Sequence, residues 1–299
     1  MDCSFCYLSK EERSDNNKIN LKVLDVMLEC IDTRWDIDHI DIYGGEIALL
    51  SPEYLKDLFY MTRWYTNGNT NSKWCTGNPK GNVNIITNFL KFNPAIMEDE
   101  NLDISVSYDF KGREKSTIVL NNMINSDRDI NVLMLGTNEV LSVPTDFVVS
   151  TFNFLKRVRC VEIKPYSTNQ CNEEAVKDGD FERFVKEISS SKKKKFEFTN
   201  ETWARDCING KYNAYSDNHL YITPNAEYAV LDFDENDNEY FRIMETLDDY
   251  EDWTEQEKIK VQSLPHCSNC KYLGSCMTEH YKTACSGYPN LLDWYSQTS

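Results

Sequence analysis

Between residues 18 and 190 the chain repeats one pattern: a short run of β-branched residues, then a longer segment with helical spacing of apolar positions. Nothing else in the sequence narrows the fold so much. Strands separated by helices cannot pair as hairpins, because each helix returns the chain along the sheet before the next strand begins. The result is a parallel sheet with right-handed crossovers, wound as a barrel or as a doubly covered open sheet. The spacing of Leu21, Val23, Leu24, Met27 and Leu28 predicts a helix within Ile19 to Trp35. A β-type run from Ile37 to Tyr43 follows and ends in Gly44-Gly45. The next helix starts at Ser51-Pro52-Glu53, a serine cap followed by proline at the first helical position, where a missing N–H is tolerated.

Further strands are predicted at Val83 to Thr87, Leu102 to Tyr108, Ile130 to Leu135 and Val161 to Lys164. Helical segments lie near Pro94 to Glu98, Ser116 to Ile124, Asp146 to Arg157 and Phe181 to Ile188. The Asn- and Gly-rich stretch from Tyr65 to Gly81 reads as an insertion. After Lys192 to Lys195 the texture changes. Phe196 to Phe198, His219 to Thr223 and Tyr228 to Phe233 alternate like short strands, and Asp232 to Glu257 reads as an acidic linker. These shifts place a domain boundary near residue 192, giving segments 1–191 and 192–299.

Composition removes several functions. Acidic residues outnumber basic ones 49 to 32, for a net charge of −17, so a phosphate backbone is a poor partner and nucleic acid is not expected. No apolar run reaches the roughly 18 residues of a membrane span, so no membrane partner is expected. The start, MDCSFCYLSKEER, has neither the basic nor the apolar region of a signal peptide, and a cytoplasmic location is expected. Eleven cysteines in a reducing compartment point to metal binding or catalysis in place of disulfides.

Two groups of residues carry chemistry. Cys3-Ser4-Phe5-Cys6 is a CxxC, on its own equally compatible with half of a zinc site. About thirty residues further on, a predicted strand ends in Gly44-Gly45-Glu46. Paired glycines let backbone approach a ligand, an adjacent carboxylate can hold an ammonium group, and strand C-termini are where parallel α/β folds bind ligands. The second group is Cys267-x2-Cys270-x5-Cys276 with His280 and Cys285 beyond, a density of thiols suited to a metal or an iron–sulfur cluster.

Taken together these motifs resemble the radical SAM superfamily, whose signature is CxxxCxxC after the first barrel strand and GGE after the second. The resemblance implies a partial (β/α)6 TIM-type barrel, a 4Fe–4S cluster and bound S-adenosylmethionine. Cys3 and Cys6 match the second and third cysteines, Phe5 the aromatic position at adenine, and Gly44, Gly45 and Glu46 the contact with the methionine amino group. The family's first cysteine falls two residues before Met1, so the third thiolate and the first strand are expected upstream of this chain. Asn88, in a Thr-Asn pair where similar proteins carry Thr-Asn-Gly, Ser107 and Asp109 in a Ser-x-Asp, and Lys164 are further expected cofactor contacts at strand ends.

The C-terminal spacing resembles the SPASM domain of radical SAM peptide-modifying enzymes. That likeness implies one auxiliary 4Fe–4S cluster on Cys267, Cys270, Cys276 and Cys285; Leu231 and His280 occupy two positions where a second cluster would need cysteines. It also implies a ribosomal peptide or protein substrate, with crosslinking, epimerisation or oxidation as the outcome, and an electron donor such as flavodoxin or ferredoxin. Cys171 and Cys207 are candidate hydrogen-atom donors at the barrel mouth. Two other functions fit the same residues: a radical SAM enzyme acting on a small molecule or nucleotide, and a non-catalytic zinc-binding interaction protein.

Overall fold

The structure is a computed structural model that describes residues 17–66, 82–111, 115–169, 174–278, 281–285 and 287–298. It opens with α1 (Leu21–Asp32), whose first turn is capped by the Asn20 side chain accepting from the Lys22 N–H. Five strand–helix crossovers follow. β1 (Ile40–Ile42) leads to α2 (Pro52–Tyr65), which Ser51 caps as its sequence announces. β2 (Val83–Thr87) leads to the single turn α3 (Pro94–Met97), and β3 (Asp103–Ser107) to α4 (Ser116–Ile124). β4 (Ile130–Gly136) leads to α5 (Asn138–Leu141) and α6 (Thr145–Phe154), and β5 (Val158–Pro165) to α7 (Asp178–Ser190). β6 (Glu197–Phe198) closes the series.

All six strands are parallel and lie in the order β1-β2-β3-β4-β5-β6. Each crossover therefore steps one strand over in the same direction. With a fixed right-handed crossover, every helix must fall on one face of the sheet. A doubly wound sheet reverses its strand order midway and covers both faces; this one does not. Of the two windings open to the sequence, the sheet takes the barrel-type one.

The strands show the consequence. Ile85, Ile104, Val106, Val132, Met134, Val161 and Ile163 are buried beneath the helices. In-register neighbours on the opposite face are polar or half-exposed: Asp41 beside Asn84, Ser105 beside Asn131, Asn131 beside Cys160, and Leu135 beside Lys164. Arg128 closes the helix side by donating to the carbonyls of Ile96, Met97, Asp99 and Leu102 at 2.7–3.1 Å, at the C-terminal end of α3.

β6 and the following helix α8 (Thr199–Ile208) lie past residue 192, so the parallel sheet runs beyond the boundary drawn from sequence. The run around Phe198 is too short to reveal its partner, which is Cys160–Val161 of β5. A second sheet is antiparallel: β7 (Tyr221–Ile222), β8 (Tyr228–Phe233) and β9 (Glu239–Met244). The expected acidic linker is instead β9 and the long helix α9 (Leu247–Ser263). Its charges are accommodated: Asp232 is buried against Arg242 at 2.7 Å, and Thr246 with Asp249 forms a capping box. The cysteine segment follows, and α10 (Pro289–Thr298) packs back on α8 and α7. Among the described residues, no helix is long and apolar enough to cross a membrane.

Candidate functional site

β1 stops at Ile42, and Tyr43-Gly44-Gly45-Glu46 turns off its C-terminal edge. Gly44 has φ +136°, a conformation that L side chains avoid, and a Cβ on either glycine would meet nothing within 4 Å. The pair thus presents bare backbone to open space. Glu46 faces the protein. Its Oε1 accepts from the Ala48 N–H at 3.0 Å and the Thr87 hydroxyl at 2.5 Å, and its Oε2 accepts from the Asn88 N–H at 2.8 Å. One carboxylate therefore straps the C-terminal end of β1 to that of β2. A carboxylate has about four acceptor sites, so capacity for one further donor remains beside the glycines.

Thr87 and Asn88 are both buried, and the Asn88 Oδ1 is committed to the Leu90 N–H at 2.9 Å. What Asn88 offers the site is its backbone N–H. Phe89 sits at φ +55°. That conformation costs a bulky residue of order 1 kcal/mol or more. It is held because the ring is 1% exposed, packs edge-on to Phe92, and the Phe89 N–H donates to Thr87 Oγ1 at 3.0 Å.

The remaining expected contacts separate. Ser107 and Lys164 are half-buried on the open face of the sheet at the C-terminal ends of β3 and β5. Asp109 is wholly buried, with Oδ1 accepting from the Leu135 N–H at 3.0 Å, and so ties the end of β3 to β4. Cys207 is 2% exposed in the core face of α8, and burial, with the Cys276 charge second, pushes its thiol pKa well up. Cys3, Phe5, Cys6 and Cys171 lie outside the described residues.

A polar layer crosses the open face that the sequence analysis did not pick out. Asn84 Nδ2 donates to Asp41 Oδ1 at 2.7 Å, Ser105 Oγ to Asn84 Oδ1 at 2.9 Å, and Cys160 Sγ to Asn131 Oδ1 at 3.1 Å. Burial raises the Asp41 carboxyl, but hydrogen bonds from His39 and Asn84 and the charges of His39 and Lys164 outweigh it, leaving its pKa lowered. The signal was present as a polar residue at every second position of β3, at Asn84 in β2, and at Cys160, Glu162 and Lys164 in β5, where a strand buried on both faces reads as continuously apolar.

The C-terminal cysteines converge. Cys267, Cys270, Cys276 and Cys285 line one pocket with Tyr281, Lys282 and Gly287. Among the described residues, no group of three or more His, Cys, Asp or Glu side chains is set closely enough to grip a metal ion as it stands. The donor chemistry nevertheless suits a thiolate-bound group, and the pocket wall is cut to the sulfurs. A Cβ on Gly287 would fall 2.8 Å from Cys276 Sγ and 4.0 Å from Cys285 Sγ. Burial, then the neighbouring thiols of Cys285, Cys276 and Cys270, push the Cys267 pKa up to about 11. Binding to a metal would reverse that by taking the thiolate form.

The tip of the β8–β9 hairpin links this pocket to the parallel sheet. Asp237 accepts from the Thr283 and Ala284 N–H groups at 2.7 and 2.9 Å, just before Cys285. The Glu239 N–H donates to the Thr168 carbonyl at 2.8 Å, and Lys282 Nζ donates to Ser167 Oγ at 2.8 Å, both past the end of β5.

No protein-family model and no curated protein matches this sequence. Solved structures do. One is Streptococcus suis SuiB bound to S-adenosylmethionine, 12% identical, with 92% of this chain and 68% of that chain covered and a TM-score of 0.62. At that identity the likeness is one of fold. The chain has the fold of SuiB.

Proposed function

We propose that this chain is a radical SAM enzyme that modifies a peptide or protein. The observation that carries this reading is the Gly44-Gly45-Glu46 edge: bare, open backbone next to a carboxylate held by Ala48, Thr87 and Asn88, at the strand ends of a barrel-type sheet. Support comes from the shared fold with an S-adenosylmethionine-bound protein.

Bound S-adenosylmethionine at a 4Fe–4S cluster would supply a one-electron C–S cleavage, giving a 5′-deoxyadenosyl radical that abstracts a substrate hydrogen. The chain's own residues bind and orient. Cys3 and Cys6 would ligate that cluster. The Gly44 and Gly45 backbone and the spare acceptor on Glu46 would take the methionine ammonium. Ser107 and Lys164 flank the same open face. Glu46 is fixed by its bonds before any ligand arrives, so little ordering remains to oppose binding. Cys267, Cys270, Cys276 and Cys285 would hold one auxiliary 4Fe–4S cluster, to which their shared pocket and the absent Gly287 side chain are suited. The cysteine spacing of that tail supports a peptide or protein substrate, and a net charge of −17 suits a basic one.

The test is anaerobic reconstitution of the protein with iron and sulfide. Reduction by dithionite or flavodoxin with S-adenosylmethionine present should release 5′-deoxyadenosine, and Cys3→Ala or Cys6→Ala should abolish release. Zinc without iron or sulfide, or loaded clusters without 5′-deoxyadenosine, would overturn the proposal.

A further inference from the structure

We propose that Asp237, at the tip of the β8–β9 hairpin, positions Cys285 as the fourth thiolate of the C-terminal metal site. This inference rests on the reading above that Cys267, Cys270, Cys276 and Cys285 bind one metal-containing group.

Cys285 needs support from outside its own segment. It is exposed, and Thr283, Ala284 and Cys285 lie in no helix or strand. The other three cysteines follow one another through tight turns closed by local bonds. The Cys270 N–H donates to the Cys267 carbonyl at 2.9 Å, and the Leu273 N–H to the Cys270 carbonyl at 3.2 Å. For Cys285 the support is Asp237. Its Oδ1 accepts from the Thr283 N–H at 2.7 Å and its Oδ2 from the Ala284 N–H at 2.9 Å. With one oxygen on each of two consecutive donors, the carboxylate fixes the direction of this backbone as well as its place. Lys282 makes a second contact with the same hairpin, its ammonium 4.9 Å from the centre of the Phe233 ring. Beyond the thiol, the Met277 N–H donates to the Gly287 carbonyl at 3.2 Å, so the loop is pinned on both sides of Cys285.

Asp237 is itself held. Its φ is +59°, a left-handed conformation that aspartate tolerates better than most side chains. Its N–H donates to the Asp234 carbonyl at 3.0 Å, and Asp234 Oδ1 accepts from the Asn236 and Asn238 N–H groups at 2.8 and 2.9 Å. The turn is also anchored past the end of β5. There the Thr168 hydroxyl donates to the Asp237 carbonyl at 3.4 Å, and the Glu239 N–H to the Thr168 carbonyl at 2.8 Å. The carboxylate therefore sets Cys285 relative to the strand ends. The thiol it places lies across Gly287 from Cys276, the two sulfurs 4.0 and 2.8 Å from the point where a Cβ would stand.

The measurement is anaerobic cobalt(II) binding to the metal-free full chain in a Cys3→Ala/Cys6→Ala background. Sulfur-to-cobalt charge-transfer absorbance per bound cobalt counts the thiolates. Asp237→Gly keeps the turn, since glycine takes a positive φ freely, and removes the carboxylate. Affinity should fall about 10–100-fold, the usual cost of losing a group that orients a ligand, and the absorbance should drop to the Cys285→Ser level. In the Cys285→Ser background the same substitution should change affinity by less than about twofold, because the ligand it acts through is already gone. Parent-like binding by Asp237→Gly would overturn the proposal. So would an equal loss in both backgrounds, which a purely structural role predicts. If circular dichroism shows the glycine variant unfolded, Asp237→Asn decides by the same two comparisons; it keeps the shape and turns an NH2 against one of the N–H groups. A parent without thiolate absorbance, or a Cys285→Ser variant that binds like the parent, would sink the metal-site reading and this inference with it.

Discussion

Glu46→Gln replaces one oxygen of the carboxylate that joins the ends of β1 and β2. The amide can keep its carbonyl on the Ala48 N–H and the Thr87 hydroxyl, now as neutral bonds. Its NH2 then opposes the Asn88 N–H, which Oε2 accepts at 2.8 Å, so two donors face each other. A hydrogen bond to a charged group contributes about 1.5–3 kcal/mol. Glu46 is half-buried, which favours the lower end of that range, while the weakening of the two retained bonds adds to it. The expected loss is about 2 kcal/mol of unfolding free energy, or a Tm lower by about 3 °C at this chain length. Urea unfolding followed by circular dichroism reads it, with an unchanged slope showing that both proteins expose the same surface. A loss below about 0.5 kcal/mol would refute the strap, since the bonds would then contribute no more than an ordinary surface contact. Calorimetric titration with S-adenosylmethionine provides a separate readout. The acceptor left for an ammonium becomes a donor, and affinity should fall at least about tenfold, or 1.4 kcal/mol. Lower stability with unchanged affinity would keep the strap and discard Glu46 as a cofactor contact.

Other perturbations test the remaining geometry. Arg128→Ala strands four carbonyl groups at the end of α3 and should cost about 2–4 kcal/mol in the same urea assay; a cost under 1 kcal/mol would mean water replaces the guanidinium. Phe89→Gly relieves about 1 kcal/mol of backbone strain but removes a buried ring worth about 3–5 kcal/mol, so net destabilisation is expected, and a stabilised variant would contradict it. Gly287→Ala drives a Cβ against Cys276 Sγ and should lower iron per chain while the far-UV spectrum holds; unaltered iron would show that the close approach is not needed. The Asp41 hydrogen bond raises the His39 pKa above 6.5. Its stabilisation is therefore complete below that value and fades as pH rises through the folded pKa. An NMR titration should find the His39 pKa shifted down in Asp41→Asn, and no movement would break the pairing.

The sequence by itself determined the alternating strands and helices, because those signals are local. Ser51-Pro52 caps α2, apolar positions recur with the helical period, and β2 falls on the predicted Val83–Thr87. It also set Gly44-Gly45-Glu46 at a strand end and grouped four cysteines by spacing. It mistook β9 and α9 for linker, since acidic composition masked the Asp232–Arg242 pair and the Thr246–Asp249 capping box that were there to be found. Only the tertiary structure decided that Glu46 binds Thr87 and Asn88, that Asp109 is sealed under Leu135 while Ser107 stays on the open face, and that Phe198 belongs to the parallel sheet. The physical reason is range. Period and capping act within a turn or two of chain, whereas a polar side chain's partner depends on strand register and winding direction, which no segment specifies alone.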